Sequence, residues 1–106
     1  MRAGALRDRV GIQRRTTSRD DAGAQLITWL TYATVWAAVE PLSGREAVAM
    51  KEVHASANVR VTMRWRKDLR AQDRLLFGTR VLEINGITDV GGRQRWLELA
   101  CTEDVS

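Results

Sequence analysis

The chain has 106 residues, enough for one domain with a single modest core, and 17 Lys+Arg against 13 Asp+Glu give it a formal net charge of +4. Its only cysteine, Cys101, excludes an internal disulfide and any metal site built from cysteine pairs. No apolar run approaches the ~18 residues needed to span a bilayer, and MRAGALRDRV lacks the apolar centre of a secretion signal, so a soluble protein made and used in a cytoplasm is expected.

Val10 and Ile12 alternate with Gly11 and Gln13, predicting a short first strand that ends in the polar series Arg14 to Asp21. Asp20, Asp21 and Gly23 supply turn chemistry there. A second strand is expected over Leu26 to Tyr32 and a third from Val35 to Glu40. Ala33 between them carries no turn signal, so the two could be one long bent strand. Pro41 lacks a ladder donor and ends the pairing. Ser43 with Glu46 three residues later matches a capping box, predicting a short helix between Ser43 and Ala55. Ala47, Met50 and His54 form its weak apolar face, which suits a segment ordered against a partner.

Asn58 to Trp65 is the cleanest strand, with Val59, Val61, Met63 and Trp65 inward and Arg60, Thr62 and Arg64 outward. Arg74 to Phe77 and Arg80 to Ile84 flank Gly78-Thr79, a Gly-first loop suited to a type II′ hairpin. Asn85-Gly86 predicts a further turn before a strand at Ile87 to Val90. Gly91-Gly92 opens the last loop, and Leu97, Leu99 and Cys101 face inward on a final strand. Short strands at this spacing predict a mostly β fold, a small antiparallel barrel or sandwich, with one short helix in an excursion at about 42–57.

Catalysis needs convergent acid, base or nucleophile groups, and the pattern offers none. His54 lies on the expected helix as a surface histidine, Cys101 sits in an inward row, and Asp20 and Asp21 suit a turn better than a metal. Gly91-Gly92 lacks the spacing of a phosphate loop. No enzyme activity, cofactor or metal is expected. Only Lys51 and Lys67 are lysines, so the basic excess is arginine, which favours bidentate contacts with carboxylate or phosphate. Arg64-Trp65-Arg66-Lys67 could serve a small barrel that binds single-stranded nucleic acid. Against that alternative, Trp65 continues an inward row, leaving Arg60, Arg64 and Arg66 for charged contacts with an acidic neighbouring subunit.

In order along the chain, the sequence resembles the phage head-tail joining, or head closure, family of connector proteins. The resemblance opens at Gly4, Leu6, Arg9, Val10, Ile12 and Gln13, then Asp20 or Asp21 with Gly23 and Trp29. Its most specific part is Ala33, Val35, Trp36, Ala37, Val39, Pro41, Leu42, Gly44 and Glu46, followed by Arg64-Trp65-Arg66. Arg80, Glu83 and Ile84 precede the closing Leu97, Leu99 and Cys101. Trp65 stands where a tyrosine is usual, and the connection from Asp68 to Asp73 lacks the family's frequent proline. The resemblance implies a non-enzymatic β-barrel at the virion neck that self-associates into a ring, thought to be twelvefold. It implies portal or adaptor and tail-completion proteins as partners, contact with packaged DNA without sequence specificity, and no membrane. On that reading Arg45, Glu46, Lys51 and Glu52 of the helical excursion, with Arg60, Arg64 and Arg66, are the candidate interaction residues.

Overall fold

The computed structural model describes residues 5–54 and 56–103. Its strands are β1 Asp8–Arg19, β2 Gln25–Pro41, β3 Val59–Arg64, β4 Arg74–Phe77, β5 Arg80–Asp89 and β6 Trp96–Glu103, and one helix, α1 Gly44–Val53, lies between β2 and β3. All pairings are antiparallel, and the strands close into a barrel in the order β1-β2-β3-β6-β5-β4. Period-two alternation fills the interior. Val10 and Ile12 meet Val59, Val61 and Met63 of β3, Leu75, Leu82, and Leu97, Leu99 and Cys101 of β6. Burial of each large aliphatic side chain contributes about 1.5–3 kcal/mol. Trp65 packs against this cluster as the inward row predicted, although half-buried and just past the end of β3.

β1 does not stop at the polar series. It continues to Arg19, and β2 is one strand of 17 residues, so the two form a ribbon that runs past the barrel wall. Thr16, Thr17 and Ser18 tolerate extension because both faces of this part meet water, so no apolar alternation is required of them. The register shifts between Ile12 and Gln13, placing Tyr32 as an extra residue in β2 where the ribbon leaves the barrel. Such a bulge bends the strand and re-aims a side chain. At the tip, Asp20 Oδ1 accepts hydrogen bonds from the backbone N–H groups of Ala22 and Ala24, and Gly23 takes a φ of 83°, as the turn residues predicted.

Asn85-Gly86 is not a turn. β5 passes straight through it, with a register shift that makes Asn85 a bulge residue opposite β6. Asn85 Oδ1 accepts a hydrogen bond from the Thr102 hydroxyl at 2.6 Å. Gly86 is required for a different reason: a Cβ there would sit 2.6 Å from Cε1 of His54, whose ring lies against the strand. His54 is therefore a packing residue that seats the end of α1 on β5. A Gly86→Ala variant should lose about 1–3 kcal/mol in urea unfolding because the ring must be expelled. Adding His54→Ala should return part of that loss, and strictly additive costs in the double variant would contradict the contact. Of the two-residue β4–β5 loop, only Gly78 has positive φ, at 64°, as a type II′ turn requires.

The capping box is also absent. Ser43 occupies the N-cap position with extended backbone but makes no side-chain cap, and the Glu46 carboxylate turns away to Arg60. A guanidinium donates a charge-assisted bond at 2.7 Å, stronger than the neutral backbone N–H that the capping box would use. At the other end of the helix the His54 N–H donates to Met50 O.

Candidate interaction surfaces

α1 lies across the outer face of β3. Arg60 of β3 donates to Glu46 at 2.7 Å and to Glu40 at 3.4 Å, and the bond to Glu46 raises its pKa. Two of the residues expected at a subunit contact, Glu46 and Arg60, therefore tie the helix to its own barrel. Arg45, Lys51 and Glu52 stay exposed, with Arg45 and Glu52 on the side away from the barrel. Ala47, Met50 and His54 are the helix positions that are half-buried, which is the apolar face read from the spacing. No residue of α1 is fully buried, and Val48 and Val53 are 64% and 74% exposed. Ten residues make a marginal helix in water when its one covered face is only half-buried.

A second surface is the groove between the starts of β1 and the end of β3, about 690 Å³ and lined by Leu6, Arg9, Val35, Trp36, Arg64, Trp65 and Arg66 among others. Arg9 lies over the ring of Trp36 at 4.7 Å, and Arg64 over Trp96 at 5.1 Å. Arg66 makes a two-pronged pair with Asp68, 3.0 and 2.9 Å, whose hydrogen bonds hold the Asp68 carboxyl below its ordinary range. Arg74 covers Trp29 at 4.2 Å. Each tryptophan thus has one face taken by an arginine or by the core. The candidate residues do not converge: Arg60 sits under the helix, whereas Arg64 and Arg66 border the groove.

The third surface, unforeseen in the residue pattern, is the β1–β2 ribbon. Leu26, Ile27 and Leu30 are 46%, 53% and 56% exposed on it. Its root is held by Asp73, whose side chain is almost fully buried. Asp73 accepts from Arg14 Nε at 3.0 Å, Arg14 NH2 at 3.1 Å, Tyr32 Oη at 2.6 Å and the Arg70 N–H at 3.0 Å. Burial alone would push the Asp73 carboxyl up, but the bonds from Arg14, Tyr32 and Arg70 outweigh it and hold it below the usual range. Burial, reinforced by the bond to Asp73, pushes the Tyr32 phenol up to about 12. The uncharged run from Gln25 to Val39, with apolar residues on both alternations, is the sequence signal that would have identified this element.

Reactive groups are dispersed. Cys101 is fully buried and its thiol is pushed up to about 12 by burial. Among the described residues no group of three His, Cys, Asp or Glu could hold a metal ion, and no helix is long and apolar enough to cross a membrane.

Residues 1–104 match the phage head completion protein family. The chain is 41% identical to the head completion protein gp7 of Enterobacteria phage HK97 over 75 residues, 71% of this chain and 67% of that protein. The solution structure of protein SF1141 from Shigella flexneri 2a is similar throughout, with 36% identity and a TM-score of 0.80 over 100% of this chain and 99% of the other. A chain in the virion of a native gene transfer agent particle shares the fold at 18% identity and a TM-score of 0.63, covering 95% of this chain and 97% of that one.

Proposed function

We propose a place in the particle for this chain, which belongs to the phage head completion protein family: it joins a ring at the neck, closes the portal exit of the DNA-filled head and presents the surface on which the tail docks. The barrel and its helical excursion at about 42–57 act as one unit in this reading. The observation that carries it is α1, a ten-residue helix held over β3 by Arg60 yet with none of its residues fully buried. A helix so poorly covered gains its missing contacts from a neighbour, and the exposed Arg45, Lys51 and Glu52 supply polar ones. Glu46 and Arg60 then act by positioning the helix, while Arg64 and Arg66 border a groove suited to an acidic surface of the ring above. Partners are further copies of the chain, the portal or adaptor protein and the tail-completion protein, with the packaged DNA met without sequence specificity.

Electron microscopy of heads made without the chain tests the reading. DNA-filled heads lacking it should leak and remain tailless, and adding the purified protein should restore a ring at the portal exit and tail joining. Heads that retain DNA and accept tails in its absence would overturn the proposal.

A further inference from the structure

The ribbon has two open backbone edges, one on each side. β4 pairs with β1 only at Gly11, Ile12 and Gln13, leaving the outer edge of β1 open from Arg14 to Arg19. β3 pairs with β2 only from Ala37 to Pro41, leaving its outer edge open from Gln25 to Trp36. Six residue pairs, from Arg14↔Leu30 to Arg19↔Gln25, stand beyond the barrel with no third strand among the described residues. A lone two-stranded ribbon is marginal in water, and an apolar open edge is a template for pairing.

The two edges differ in chemistry. The β1 edge carries Arg14, Arg15 and Arg19, whereas Gln25 to Val39 of β2 holds no charged residue and exposes Leu26, Ile27 and Leu30. Pairing β1 with β1 of another copy would set arginines against arginines, which is unfavourable for directly opposed like charges. Pairing β2 with β2 would leave both arginine edges open. Side-by-side ribbons of the same orientation place the uncharged β2 edge of one copy against the arginine-bearing β1 edge of the next. That junction is antiparallel, as within the ribbon, and avoids like-charge opposition.

We propose that the β1–β2 ribbons of successive copies pair edge to edge in this way, β2 of one copy with β1 of the next, so that the ribbons form a continuous sheet around the ring. The contact is heterologous, and closing the ring satisfies both edges of every copy without any other protein. The inference rests on the ring reading above but names a different surface from α1.

The test uses full-length Thr17→Cys and Ile27→Cys variants, both exposed positions, mixed in equal amounts and loaded onto heads. Cys101 stays silent because its buried thiol yields little thiolate. A short bis-maleimide should then link position 17 of one copy to position 27 of another, identified by mass spectrometry with one variant isotope-labelled. Ile27→Lys, which places a charge on the apolar edge, should lower the yield of rings on heads at least roughly tenfold while leaving the monomer folded. Dominant 27–27 links, or links from position 27 to a different virion protein, would overturn the pairing. Rings that form normally with Ile27→Lys and give no 17–27 links would overturn it while leaving the ring reading standing, and heads loaded with the parent chain that show no ring would sink both.

Discussion

Replacing Asp73 with alanine should destabilise the protein by about 3 kcal/mol, measured as the shift in urea unfolding, because it removes the acceptor for four hydrogen bonds at the root of the ribbon. The carboxylate is essentially buried and the Arg14 guanidinium one-third exposed, so water recovers part of what Arg14 loses but little of what Tyr32 and the Arg70 N–H lose. Asp73→Asn keeps the shape and removes the charge, and it should cost nearly as much, since one amide oxygen cannot serve all the donors. A loss below about 1 kcal/mol in both variants would mean that the network is dispensable.

The same group sets an acid limb. Because the folded-state pKa of Asp73 lies below the ordinary value of 3.8, its contribution is present above that value and disappears as pH falls through the lower folded pKa. Tyr32 has the opposite sign: with its pKa raised from 10.0 to about 12, its contribution is present below pH 10 and is lost as pH rises toward 12. Asp73→Asn should therefore flatten the stability profile below about pH 4, and Tyr32→Phe should flatten it above about pH 10. Unchanged profiles would show that other groups control both limbs.

Asp73 also marks where the sequence stopped being legible. Its three partners lie 59, 41 and 3 residues away, so no local pattern joins them. Rows such as Val59, Val61 and Met63, or Leu97, Leu99 and Cys101, could be read because a strand buried on one face writes period two into its residues. Their success gave the strand inventory and the mostly β class, although closure of the barrel depends on three β1–β4 pairs with no sequence signature. Asn85-Gly86 misled for a physical reason: a left-handed turn and a bulge beside a packed imidazole call for the same residues. Ser43 and Glu46 misled because capping competes with longer-range pairing, and Arg60 supplied the stronger partner. Of the candidate residues, Arg45, Lys51 and Glu52 are exposed. The ribbon was obscured because Arg14 to Ser18 has the composition of a loop, and only its register with β2 makes it a strand.

Changing Val48 and Val53 together to lysine should leave the isolated protein nearly untouched and abolish its work in the particle. Both side chains are more than half exposed and lysine is a better helix former than valine, so unfolding free energy should stay within about 0.5 kcal/mol of the parent chain. In an assembled neck the argument reverses, because the proposed function covers the exposed parts of this helix with a neighbour. Two charges would then replace two apolar contacts, each worth about 1.4 kcal/mol or more where water is excluded, which multiplies to about a hundredfold loss of association. Infectious-particle yield from heads supplied with the double variant should fall by that order, with tailless heads accumulating. Glu46→Gln offers an independent check, since it weakens the Arg60 anchor that positions α1 without altering its exposed face. It should give a smaller loss of yield than the double lysine variant. If the double variant folds normally and completes heads as well as the parent chain, α1 is a plain surface helix and the interface lies elsewhere on the barrel.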